Sequence, residues 1–235
     1  GLIHDIGNPP FGHFGEEAIR DWFQKKLPLL EYRGKKLNEV VTPQMTGDFL
    51  HFEGNAQALR LVSKLHLLVN ENGMNLTFAL LDTIIKYPVP STGIAPQSGR
   101  IGAKKMGYFY AERELYRMVA ESCGTCGVRH PLVYILEAAD DIAYRTADIE
   151  DAFKKGCISF NDLKAELHRY LDPCYREREN YPLAVLEHQY QKALDRRDKE
   201  PERYAVSNFI IRMQGYLIYC ATSGFTAHYR EIMDG

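Results

Sequence analysis

Apolar positions along the chain recur at helical rather than alternating intervals. Ala18, Ile19, Trp22, Phe23 and Leu27 form the stripe of a first helix, which Pro28 ends. A polar excursion over 31–48 is expected to carry little order of its own. A second helix is predicted from near Glu53 through Ala56, Leu59, Leu61, Val62 and Leu65 to Val69, closed by Asn72-Gly73. Asn75-Leu76-Thr77 opens a third, through Leu80, Leu81, Ile84 and Ile85, and Pro88 and Pro90 halt it. Residues 88–107, rich in Pro, Gly and Ser, read as a loop, and a helix follows from Glu112 to about Ser122. The next spans 131–155, with Leu132, Ile135, Leu136, Ala139, Ile142 and Ala143 expected to bury much of its surface. Helical segments from Asn161 to Leu171, Pro182 to Asp198 and Glu202 to His228 complete the pattern. In the last, Phe209, Ile210, Met213, Leu217, Ile218 and Cys220 read as core. The expected fold class is all-α, with no strand anywhere and no internal repeat.

Composition narrows this further. With 235 residues and 45% hydrophobic content, one substantial core is expected, hence a single domain over 1–235. A net charge of −2 and a pI near 6.5 provide no global attraction to nucleic acid or to a membrane surface. No apolar run approaches the roughly 20 residues that span a bilayer. Five cysteines, an odd number without a signal peptide, point to a reducing, cytoplasmic setting. Cys123-Gly124-Thr125-Cys126 is a lone C-x-x-C with His130 nearby. Zinc would need four ligands and no second pair exists, so the segment reads as a turn between helices. The chain opens without methionine and inside a motif, as an internal segment of a longer enzyme would.

That motif is the densest chemistry present. His4-Asp5-Ile6-Gly7-Asn8-Pro9-Pro10-Phe11-Gly12-His13-Phe14-Gly15-Glu16 places two histidines and two carboxylates in thirteen residues. Neighbouring side chains on a helix diverge by roughly 100°, yet one ion between His4 and Asp5 can be held by an imidazole nitrogen and a carboxylate oxygen. Asn8-Pro9-Pro10 stops any helix, and the glycines allow tight turns and close approach to a ligand. His13 and Glu16, three apart, share a face of the next helix and suit proton transfer or nucleophilic attack. Further along, Asp140, Tyr144 and Asp148 lie at i, i+4 and i+8 on one helix face. Lys86, Lys104 and Lys105, in or beside the 88–107 loop, could fold over phosphates or simply meet solvent. Arg212 is one further candidate phosphate contact.

His4-Asp5-Ile6-Gly7-Asn8-Pro9-Pro10-Phe11-Gly12-His13, His51-Phe52-Glu53-Gly54-Asn55-Ala56-Gln57 and Glu137-Ala138-Ala139-Asp140-Asp141-Ile142 together resemble the HD-domain deoxynucleoside triphosphate triphosphohydrolases, the bacterial deoxyguanosine triphosphate enzymes most of all. The likeness covers most of the chain and is weakest between about 158 and 200. It implies the HD-domain helical fold and a divalent metal held in an H…HD…D pattern. His4 and Asp5 match the central pair and Asp140 the final aspartate; the first histidine would lie upstream of Gly1. Such mixed nitrogen and oxygen donors suit Mg, Mn, Fe or Co. The resemblance further implies cleavage between the α-phosphate and the 5′ oxygen, giving a deoxynucleoside and inorganic triphosphate. His13 and Glu16 would be catalytic, Asn55, Lys86, Tyr87 and Lys105 would meet the substrate, and Tyr144 and Asp148 would read the sugar. dGTP is the favoured substrate, a homo-oligomer (a hexamer) and single-stranded DNA the implied partners, with no membrane. Two other readings use some of the same residues: another HD-domain phosphohydrolase acting on nucleotides, and a non-catalytic nucleotide-sensing module.

Overall fold

In a computed structural model, residues 1–66, 71–170 and 182–234 are described. The helices are α1 His13–Lys26, α2 Leu37–Val40, α3 Pro43–Leu50, α4 Gly54–Arg60, α5 Phe78–Ile84, α6 Arg113–Cys123, α7 Leu132–Lys154, α8 Phe160–Tyr170, α9 Pro182–Asp195, α10 Pro201–Ala227 and α11 Tyr229–Asp234. The fold is all-α apart from a two-stranded hairpin, β1 Glu31–Tyr32 against β2 Lys35–Lys36. The hairpin and α3 correct the expectation of a strandless chain and a structureless 31–48. Arg33 and Gly34 both take positive φ, 51° and 76°, the two-residue turn whose twist suits antiparallel strands. Thr42 caps α3 by accepting from the Met45 N–H at 3.2 Å, and Pro43 occupies its first turn. Thr-Pro is here a start signal rather than a break.

α4 runs on into a wider π-type turn over Leu61–Leu65, where the Ser63 hydroxyl donates to the Leu59 carbonyl at 2.6 Å. The rest of the helix expected there, 67–70, lies outside the described residues, as does Leu171. Thr77 caps α5 and Gly124, with φ of 72°, closes α6, so the C-x-x-C segment is a turn with free thiols.

The chain forms two compact units, Gly1–Leu136 with Arg230–Gly235, and Glu137–Tyr229. In the first, Leu59, Val62, Leu81, Ile84, Ile85, Tyr108, Val119 and Leu136 form the core, and Ile3 packs against it. Ile3 therefore seats the loop that carries His4 and Asp5. A second apolar cluster, Ala56, Met106 and Phe109 with Phe52 and Ile94, clamps the start of α4 to the 103–109 segment. α1 contributes less than its periodicity predicts: Leu27 is buried and Phe23 meets Phe49 with ring centroids 4.7 Å apart, but Ala18 and Trp22 are exposed. In the second unit, Phe160, Leu163, Leu186, Ala205, Val206, Phe209 and Ile210 make the core, packed by Ile149 and Phe153 of α7. On α7 itself the buried residues are Val133, Leu136 and Thr146, whereas Leu132 and Ile135 are exposed, contrary to expectation. On α10, Ile218 and Cys220 are likewise exposed, as is Arg212.

The first unit also buries carboxylates. Asp48 accepts from the Ser91 hydroxyl at 2.7 Å and the Tyr110 N–H at 2.6 Å, tying α3 to two later segments. Glu112 accepts from Arg60 Nε at 3.1 Å, while its second oxygen is buried without a partner. Burial pushes the Glu112 carboxyl above its ordinary range despite Arg60, and Asp48 adds to the rise. A group whose folded pKa is raised stabilises the fold while protonated, and that contribution is lost as pH climbs through the raised value. The melting temperature of Glu112→Gln should therefore gain on that of wild type from about pH 4.5 upward. Melting curves across that window check this; a constant difference would remove Glu112 from the account.

Candidate active site

Three segments of the first unit meet at the front loop. Asn8 N–H donates to the Asp5 carbonyl at 3.1 Å and Gly12 N–H to the Pro9 carbonyl at 3.0 Å, so 4–12 is a run of tight turns. Phe11, at φ 68°, and Gly12, at 56°, are both left-handed. For a bulky residue this conformation is strained, and such strain concentrates at functional sites. The turn leaves His13 exposed at the first position of α1.

Gly7 is required by contact: a Cβ there would run into the Gly54 carbonyl oxygen and the backbone of Ala58. A Cβ on Gly54 would in turn meet Asn8 Oδ1 at 2.5 Å and Glu16 Oε1 at 2.9 Å. Two glycines thus let the front loop lie on the N-terminal turn of α4.

His4 donates through Nδ1 to the Gly1 carbonyl, which makes Nε2 the atom it can offer a metal. That Nε2 lies 3.4 Å from Asp5 Oδ2, and both residues are half-buried. One imidazole nitrogen and one carboxylate oxygen, side by side and oriented from behind, fit a divalent ion. Asp140, also half-buried, follows Leu136 by one turn of α7.

Glu16 is 3% exposed. Its Oε1 accepts from the Gly54 N–H at 2.8 Å, and Arg20, one turn on, lies 3.8 Å from Oε2. In this structure Glu16 thus braces α4 and makes no hydrogen bond with His13. Beside it, Glu53 is 2% exposed and fully engaged. Its Oε1 accepts from Asn55 Nδ2 at 2.7 Å and from Lys105 Nζ at 3.1 Å, and its Oε2 lies 2.8 Å from the same Nζ.

The two ends of the 88–107 loop are pinned together. Gly107 N–H donates to the Val89 carbonyl at 3.0 Å, and a Cβ on Gly107 would run into the Tyr87 carbonyl. Arg129 Nε holds the Lys86 carbonyl at 2.9 Å, and the Tyr116 hydroxyl holds that of Pro88 at 3.0 Å. Lys86 is buried, whereas Lys104 is exposed and Arg100 donates to the Gly127 carbonyl at 3.1 Å. Of the expected site residues, Glu16, Asn55 and Lys105 are tied to the start of α4 through Gly54 and Glu53, and the loop that carries His4 and Asp5 rests on the same turn through Gly7. Tyr144, 57% exposed, and Asp148, also exposed, lie in the second unit on the continuous α7, one and two turns beyond Asp140. Arg20 and Arg129 are contributors that sequence reasoning missed; only Arg20, at i+4 from Glu16, left a local signal.

No protein-family profile matches the chain. It is 43% identical over its whole length to a deoxyguanosinetriphosphate triphosphohydrolase-like protein of Listeria monocytogenes, covering 49% of that protein. It is 37% identical over 85% of its length to a protein of the same name in Synechocystis, covering 47% of it. To the deoxyguanosinetriphosphate triphosphohydrolase of Salmonella typhimurium it is 39% identical over 82% of its length, covering 41% of that protein. The chain spans about half the length of the curated relatives it matches.

Proposed function

Because the chain belongs to the deoxyguanosinetriphosphate triphosphohydrolase family, we propose that the whole protein hydrolyses deoxynucleoside triphosphates, dGTP foremost, to deoxynucleoside and inorganic triphosphate. One observation carries this reading. Glu53 ties Lys105 to Asn55 beside Gly54, and Gly54 touches Gly7 in the loop bearing His4 and Asp5. The loop of the candidate metal pair and a cationic donor for phosphate thus both adjoin the first turn of α4.

His4, Asp5 and Asp140 are assigned as the residues that would hold a divalent ion. When bound, such an ion polarises a phosphoryl oxygen and lowers the pKa of water. His13 is assigned proton transfer or nucleophilic attack at the α-phosphate, with Glu16 its partner. Catalytic hydrogen bonds often tighten only with substrate present, and His13 is exposed at the first position of α1. Lys105 and Asn55 would donate to phosphate oxygens, with Lys86 and Tyr87 on the adjoining strand of loop. Hexamer formation and a single-stranded DNA effector belong to the same reading. Among the described residues no helix is long and apolar enough to cross a membrane.

The test is product analysis of the whole protein with each of the four deoxynucleoside triphosphates. Inorganic triphosphate should appear in step with deoxynucleoside; pyrophosphate or orthophosphate in its place would defeat the assignment. Sugar selection makes a second test. Tyr144 and Asp148 stand about 6 and 12 Å along the helix from Asp140, where the sugar of a nucleotide with its α-phosphate at the metal would lie. The Tyr144 ring against C2′ would leave no room for a 2′-hydroxyl, and Asp148 could accept from the 3′-hydroxyl. Tyr144→Ala should narrow the kcat/KM gap between dGTP and GTP, while Asp148→Ala should weaken both by roughly 1–3 kcal/mol. An unchanged ratio in Tyr144→Ala would put sugar selection elsewhere.

A further inference from the structure

We propose that Glu53 is a positioning residue that holds Lys105 and the amide of Asn55 in place as a single donor array for the phosphate chain, an inference that rests on the reading of the site as a triphosphate site. A carboxylate can only accept, so Glu53 Oε1 at 2.7 Å obliges Asn55 to present its NH₂ on that side and settles which way round the amide sits. Both Glu53 oxygens engage Lys105 Nζ, at 3.1 and 2.8 Å, across 52 residues of chain. An ammonium has three donors and the Lys105 side chain is 31% exposed, so its head group can still meet an outside acceptor.

The Glu53 side chain itself is only 2% exposed, against 31% for that of Lys105. The apolar cluster of Ala56, Met106 and Phe109 independently joins the start of α4, next to Glu53, to the segment that carries Lys105. Lysine is among the side chains that lose most freedom when ordered. Here that ordering is accomplished before any ligand arrives, which is how preorganisation raises affinity.

Charge and position make opposite predictions, which allows a clean test. Glu53 is an anion beside a site for a polyanion, so removing its charge would by Coulomb's law tighten phosphate binding. Removing the positioning should loosen it. The probe is inorganic triphosphate, titrated calorimetrically in metal-free buffer into the whole protein and its Glu53→Gln, Glu53→Asp, Lys105→Met and Glu53→Gln/Lys105→Met variants. Glu53→Gln should weaken binding about tenfold despite the lost repulsion. In the Lys105→Met background the same change should add less than about threefold, because the two residues act as one unit. Glu53→Asp keeps the buried charge but withdraws the carboxylate by one methylene, and should also weaken binding severalfold. In turnover assays KM should rise with kcat little changed, and metal content should match wild type. Tighter or unchanged binding in folded Glu53→Gln, full affinity in Glu53→Asp, fully additive losses, or no triphosphate binding by wild type would each overturn the proposal. If wild type binds triphosphate but releases none from any deoxynucleotide, the functional reading fails, while the binding cycle still decides the role of Glu53.

Discussion

His4→Ala should strip the whole protein of its divalent metal and cut turnover about 10³-fold, since Lewis-acid polarisation is worth several kcal/mol and each 1.36 kcal/mol is a factor of ten. The expectation comes from how His4 is held. Its Nδ1 is committed to the Gly1 carbonyl, its Nε2 sits 3.4 Å from Asp5 Oδ2, and Ile3 next to it is anchored in the core. An imidazole fixed on one nitrogen presents the other with little freedom to lose on binding an ion. Chelation of wild type should reproduce the loss, and added Mn should restore wild type but not the variant. Asp140→Ala should behave alike. Elemental analysis decides the matter: stoichiometric metal and full turnover in His4→Ala would end the ligand assignment.

Local grammar made most helices readable. The 131–155 segment became Leu132–Lys154, Thr77 and Gly124 cap where their chemistry suggests, and Pro28 stops α1. Which face of a helix is buried was less readable, because periodicity reveals a stripe but not its partner. Leu132, Ile135 and Ile218 satisfy a helical apolar pattern and are nevertheless exposed, while Thr146 is buried, donating to the Ile142 carbonyl and accepting from Gln214. The hairpin and α3 were missed because Arg33-Gly34 and Thr42-Pro43 signal turns and helix starts as readily as disorder.

The site divides along the same line. Residues grouped in motifs were visible at once, and the glycines were visible as points of tight turning, but not as the contact by which Gly7 and Gly54 bring two motifs together. Partnerships across long stretches of chain were not. Spacing of three paired Glu16 with His13, but its carboxylate instead meets the N–H of Gly54, 38 residues away. Glu53 and Lys105 stand 52 apart, as do Arg60 and Glu112, and no local pattern couples them. Buried charges need partners wherever the fold can supply them, and only the assembled core determines which cation is within reach.

His13→Ala should lower turnover by 10²-fold or more, on the order expected for loss of proton transfer or of a nucleophile, and leave metal content almost unchanged. His13 opens α1 immediately after the left-handed Phe11 and Gly12. Its ring is exposed, so its removal leaves no cavity and should hardly alter stability. Glu16 is different. It is buried and braces Gly54, so Glu16→Ala should lower the melting temperature as well as the rate, by roughly 1–3 kcal/mol of stability for a buried N–H left unpaired. The two substitutions therefore separate a loss of rate alone from a joint loss of rate and stability within one four-residue segment. Measuring rate, metal content and melting temperature on each distinguishes the roles. A His13→Ala protein that loses its metal, and regains its rate when metal is supplied in excess, would show that His13 is a ligand and that proton transfer must be assigned to another group.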